Sequence, residues 1–149
     1  MSTTTSRSLA VVTGASAGIG RELAKQFAAN DFDLIIAAED GELQSAAREL
    51  EQLGAHVEAV QVDLSTDAGV DELHRRMSSA GRPVDAVALN AGVGAGGEFA
   101  NGIDLADELR VVDLNVRSTV HLAKHVVRDM VQRGEGRILP AGSVWSRPR

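Results

Sequence analysis

The sequence predicts an α/β fold, an open doubly wound parallel sheet of about five strands with helices on both faces, in a single domain over residues 1–149. Three observations predict it. Short apolar runs alternate regularly with amphipathic segments from Leu9 to Leu139. The first two runs lack the in–out alternation of a half-exposed sheet, as expected of strands buried on both faces, while Val57 to Val62 alternates with polar residues. The first run passes directly into a glycine-rich turn, and the right-handed crossover rule then winds the remaining strands into one twisted sheet.

The elements follow in chain order. Leu9-Ala10-Val11-Val12 reads as a buried strand ending at Gly14. The next helix carries Ile19, Leu23 and Phe27 at four-residue spacing, predicted to face the sheet, and Asn30-Asp31 close it. Asp33 to Ala38 is the second strand. A helix from Glu42 to Leu53 sets Leu43, Ala46, Leu50 and Leu53 on one face and stops at Gly54. Val57 to Val62 is the third strand, ending at Asp63. Ser65 or Thr66 caps a helix with Val70, Leu73 and Met77 inward, and Gly81-Arg82-Pro83 breaks it. Val84 to Leu89 is the fourth strand. A glycine-dense loop spans Gly92 to Gly102, read equally as an aid to substrate entry or as an ordinary mobile loop. A long helical stretch from Asp104 to Arg133 offers Leu105, Leu109, Val112, Val116, Val120, Val127 and Met130 as apolar positions. Arg137-Ile138-Leu139 starts a fifth strand, with Pro140 where that strand should continue.

Composition excludes several classes of partner. A net charge of −6, with scattered basic residues, gives no electrostatic footing for nucleic acid or an anionic membrane. No apolar run approaches the ~20 residues that cross a bilayer. Residues 1–8 are polar, unlike a secretory leader, so the expected location is cytoplasmic. Without cysteine there are no disulfides, thiolate chemistry or Cys-type zinc sites. His121 and His125 share a helix face at a metal-compatible spacing, but no third ligand stands near them in sequence; they read as a helical pair and no metal is expected.

The turn Thr13-Gly14-Ala15-Ser16-Ala17-Gly18-Ile19-Gly20 carries the first chemistry. Gly14 permits the bend after the strand, Gly18 lets backbone approach a pyrophosphate, and Gly20 lets the helix pack closely. The helix N-terminus then offers free N–H groups and its positive dipole end to phosphates. Glu39 and Asp40 stand where a ribose partner is expected, about 20 residues on. A carboxylate there accepts bonds from the ribose hydroxyls of NAD and repels the 2′-phosphate of NADP; alternatively, both acids simply start a helix.

These residues together resemble the short-chain dehydrogenase/reductase family, whose glycine motif has the spacing Thr-Gly-x-x-x-Gly-x-Gly. Asp63 is similar to the family's adenine-contacting aspartate. Asn90-Ala91-Gly92 resembles its Asn-Asn-Ala-Gly motif, with Leu89 in place of the first asparagine. Asn115 is similar to the asparagine that interrupts the long helix and belongs to the catalytic tetrad. The resemblance spans residues 8–139 and implies a Rossmann-like fold binding NAD or NADP, with Glu39 and Asp40 favouring NAD. It implies cofactor contacts from Gly14, Ser16, Gly18, Ile19, Gly20, Glu39, Asp63, Asn90 and Gly92, and catalytic roles for Asn115 and Ser143.

In the family a tyrosine exchanges a proton with the substrate oxygen, and a lysine four residues later lowers its pKa. This sequence contains no tyrosine. The expectation is therefore a fragment, incomplete relative to the family, that binds dinucleotide weakly and turns over no alcohol or carbonyl substrate alone. The ending Pro140-Ala141-Gly142-Ser143, followed by an arginine- and proline-rich tail, suggests translation out of frame after Leu139. Loss of the following strands would expose the fifth strand and apolar surface on the long helix, so a marginally stable homo-oligomer is expected. Other readings remain: a non-catalytic module pairing through that helix with an intact relative, as family members resemble dimers built on it, or a partner chain supplying the tyrosine and lysine.

Overall fold

The computed structural model describes residues 6–142, so Ser143 and the rest of the tail lie outside the described residues. Five parallel strands, β1 (Ser8–Thr13), β2 (Phe32–Ala38), β3 (Val57–Gln61), β4 (Ala86–Leu89) and β5 (Arg137–Pro140), form one sheet in the order β3-β2-β1-β4-β5. The chain winds outward from β1 to β3, then crosses back to β4 on the other side. The winding direction therefore reverses between β1 and β4, and the carboxyl ends of those strands diverge into a crevice.

The helices are α1 (Gly18–Ala29), α2 (Glu42–Gln52), α3 (Asp67–Ser78), α4 (Leu105–Val112) and α5 (Ser118–Arg133). Side chains alternate across β1: Ala10 and Val12 pack beneath α1 and α2, while Leu9 and Val11 pack beneath α3 and α5. The three inner strands β1, β2 and β4 are buried on both faces and their runs are largely apolar, whereas the edge strands β3 and β5 are partly exposed. Thr66 caps α3, its hydroxyl accepting the Gly69 N–H at 3.0 Å.

Three expectations need correction. On α1 the buried stripe is Gly20, Ala24 and Ala28, one residue out of step with the predicted one. Leu23 and Phe27 sit at its flank, and Ile19 is 70% exposed. Small residues let the helix approach the sheet, so the larger side chains are displaced to the side. On α2, Leu53 falls past the helix end and is exposed.

The third correction concerns the long helix. It is α4 and α5 joined by a π-helical turn over Asp113–Arg117. Leu122, Val126 and Met130 are buried, whereas Leu105, Leu109, Val112, Val116, Val120 and Val127 are exposed. The stretch is apolar on two sides, and only one of them meets the sheet.

Pro140 pairs with Leu89 at the sheet edge. The Arg137 and Ala141 amides donate to Asp85 and Leu89 of the β4 side, at 3.0 and 2.9 Å. Position 140 therefore directs its missing N–H to the open edge, where no ladder bond is lost. Among the described residues no helix is long and apolar enough to cross a membrane.

Candidate functional site

β1 ends in Thr13, and the chain turns through Gly14 and Gly18 into α1. Gly18 has φ +56° and open space where a Cβ would stand, so its backbone can be approached without obstruction. Gly20 is used differently. A Cβ there would overlap the Gly14 carbonyl oxygen and the Asn90 amide, so this glycine lets α1 rest on the turn itself. No side chain caps α1 and no acid lies in its first turn. Its first amides thus point into the crevice as donors, at the positive end of the helix dipole.

The crevice is a cleft of about 440 Å³. Gly14, Ser16, Ile19, Glu39, Asp40, Asp63, Asn90 and Gly92 all line it, from four separate strand ends. Gly18 and Gly20, in the first turn of α1, stand beside it and are not among the residues that line it. Ser143 lies outside the described residues.

The two acids after β2 find different partners. Asp40 accepts the Ser16 hydroxyl at 2.8 Å and the Glu42 N–H at 3.0 Å, so it starts α2 while lining the cleft. Glu39 is exposed and meets Arg110 of α4, with Nη2 donating to Oε2 at 2.5 Å. Asp63 accepts the Ser65 hydroxyl at 2.6 Å and the Ser65 N–H at 2.9 Å. These bonds, the hydroxyl foremost, hold its carboxyl below the usual range despite partial burial, and Arg110 at 3.5 Å adds to the effect. Arg110 in turn has its pKa raised, first by Glu39 and then by Asp63. It is a fixed cation clamped between two strand ends.

Asn90 and Asn115 serve as braces. The Asn90 side-chain amide donates to the carbonyls of Thr13 and Gly14 at 3.3 and 3.4 Å, tying β4 to the glycine turn. Asn115 lies in the π-helical turn and grips the backbone of Val93: Oδ1 accepts its N–H and Nδ2 donates to its carbonyl, both at 2.8 Å. The extra residue in that turn loosens the helical ladder. Ser118 and Thr119 hydroxyls donate to the carbonyls of Leu114 and Asn115 there.

The bracing role of Thr13 and the whole part played by Arg110 escaped the sequence reading. Thr13 is buried, and its hydroxyl accepts the N–H groups of Asn90 and Ala91 at 2.9 and 3.0 Å. A polar residue closing an apolar strand was the available signal. Arg110 carried none, because it reaches Glu39 across 71 positions of chain.

A family model for short chain dehydrogenases matches residues 8–148. The chain belongs to the short-chain dehydrogenase family. The match extends past Leu139. The oxidoreductase YmfI of Bacillus subtilis is 33% identical over 141 residues, 91% of this chain and 56% of that protein. A short-chain dehydrogenase from Sphingobium yanoikuyae, solved with NADPH, superposes with a TM-score of 0.84 at 33% identity, over 92% of this chain and 54% of that one. A 7α-hydroxysteroid dehydrogenase solved with NADH gives 0.82 at 32% identity, over 91% and 53%. The chain thus spans about half the length of the relatives it matches. A Rossmann-like fold and an NAD(P)-binding oxidoreductase family are established by this likeness; both cofactors occur among the relatives.

Proposed function

We propose that this chain forms the cofactor-holding part of an oxidoreductase that moves hydride between a nicotinamide dinucleotide and an alcohol or carbonyl compound. The observation that carries the reading is the unblocked N-terminus of α1 behind Gly14 and Gly18, opening into a cleft at the reversal of strand order. In this reading the α1 amides hold the pyrophosphate, with Gly18 allowing close approach. Glu39 accepts the adenosine ribose hydroxyls, and Asp63 meets the adenine. Ser16, Ile19, Asn90 and Gly92 line the bound cofactor. When bound, the nicotinamide donates or accepts the hydride. Asn115 positions the loop after β4 through Val93, and Ser143 is assigned to the substrate oxygen.

NAD is the favoured cofactor. Glu39, Asp40 and Asp63 bring three carboxylates to the cleft, two of them against Arg110, and a 2′-phosphate would add further negative charge beside them. The chain supplies no tyrosine, so a bound cofactor has no phenolic acid to complete the reaction. Dehydrogenase turnover by the isolated chain is accordingly expected to be negligible.

A second feature supports association. Leu105, Leu109, Val112, Val116 and Val120 lie exposed along α4, the π-helical turn and α5, and their burial against a second copy would remove apolar surface from water. A homo-oligomer follows, with a purely binding or pairing role as the alternative if no turnover exists in any assembly. A cytoplasmic location, where nicotinamide cofactors are abundant, belongs to the same proposal.

Titration of the folded chain with NADH and NADPH, followed by cofactor fluorescence, tests the reading. Saturable binding with NADH the tighter ligand is expected. No binding of either at millimolar concentration, with native circular dichroism, refutes the cofactor site. Tighter NADPH binding refutes the preference alone.

A further inference from the structure

His121 and His125 project from successive turns of α5 toward α3, and the fold brings Asp71 of α3 to meet them. His121 Nε2 stands 3.2 Å from Asp71 Oδ1, and His125 Nε2 stands 3.7 Å from the same oxygen. The three ligand atoms lie within 4.8 Å of one another. A tetrahedral zinc with bonds of about 2.0–2.1 Å separates its ligand atoms by about 3.3 Å, so two edges of the triangle are close to that size.

The surroundings suit a cation rather than a self-contained ion pair. His125 Nε2 is buried and has no hydrogen-bond partner. The His74 ring stacks on His125, with centroids 4.2 Å apart and planes 13° from parallel, and fixes its orientation. His74 is itself held by Asp129, Nε2 to Oδ2 at 3.1 Å. On the far side of His121, Nδ1 lies 3.7 Å from Asp67 Oδ1, placing a carboxylate behind the imidazole as in many histidine–zinc sites.

We propose that Asp71, His121 and His125 form a site for a late first-row divalent cation, with Zn²⁺ the best match and a fourth position open to water. Two imidazoles and one carboxylate are the donor set such ions prefer over Mg²⁺ or Ca²⁺. None of the three residues lines the dinucleotide cleft. The cation would link α3 to α5, joining two helices that pack on the same face of the sheet.

The test uses the full chain without a polyhistidine tag, stripped of metal and titrated with Zn²⁺ by calorimetry. One equivalent is expected to bind and to raise the midpoint of thermal unfolding. His121→Ala, His125→Ala and Asp71→Asn each weaken binding by about tenfold or more. His56→Ala, the histidine outside the cluster, leaves it unchanged. A nitrogen-detected NMR spectrum of the wild-type histidine rings gives a readout free of folding defects: Zn²⁺ shifts the ring nitrogens of His121 and His125 and spares His56. Absence of binding, binding indifferent to these substitutions, or ring shifts confined to His56 would each overturn the proposal.

Discussion

Replacing Thr13 by valine isolates the brace that holds the cleft open. The hydroxyl accepts two amides, Asn90 at 2.9 Å and Ala91 at 3.0 Å, from a side chain that is 2% exposed. Valine keeps the β-branched shape, so no cavity forms, yet both amides lose their acceptor. Each is half-buried, and an orphaned donor there costs about 1 kcal/mol, the low end of the range, so Thr13→Val is expected to lose about 2 kcal/mol. For a domain of this size the thermal midpoint should fall by about 4–8 °C. Thr13→Ser keeps the acceptor and removes one methyl, costing about 1 kcal/mol or less. Thermal and urea unfolding followed by circular dichroism would measure both, with NADH titration of each variant in parallel. The valine variant should also bind NADH more weakly, because Asn90 and Gly92 drift from the glycine turn. A valine variant as stable as the wild type, or more stable than the serine variant, would refute the reasoning.

Other perturbations probe separate parts. Gly20→Ala drives a Cβ into the Gly14 carbonyl and should cost about 1–3 kcal/mol with loss of NADH binding; an unchanged unfolding midpoint would contradict the close packing. Asn115→Ala releases both Val93 bonds, so amide exchange across the Gly92–Gly102 loop should accelerate while β1 and β2 stay protected. At the opposite end of the sheet, burial opposes ionisation of Asp33, but the His56 N–H at 2.9 Å and the Arg82 guanidinium at 2.7 Å outweigh it and depress its pKa. A depressed folded pKa stabilises the protein above the unfolded value of about 3.9, and that stability is lost as pH falls through the lower folded value. Stability measured from pH 6 to pH 2 should therefore drop below about pH 4, with a shallower drop in Asp33→Asn. Equal acid slopes in the two proteins would exclude Asp33 as a contributor.

Local signals made the strands and the glycine turn legible. β1, β2 and β4 are short apolar runs, and burial on both faces leaves no other pattern for them. The Gly14–Gly20 turn carries its own chemistry, since positive φ at Gly18 and the contact of Gly20 with the Gly14 carbonyl involve residues a few positions apart. Helix facing was less legible. On α1 alanines and a glycine, rather than Ile19, meet the sheet, because closeness of approach rewards small side chains.

By itself, then, the sequence determined the alternation of strands and helices, the place of the phosphate-binding turn, the family and the absence of a phenolic acid within these 149 residues. Only the tertiary structure decided which of two apolar faces of α5 is buried, and which partners the polar residues find. Arg110 reaches Glu39 across 71 positions, and Asp71 meets two histidines that have no third ligand beside them in sequence. Periodicity and turn chemistry act over a few residues of chain and are written locally. Ion pairs and ligand sets depend on distances between helices, which are set only when the crossovers close and the sheet is packed.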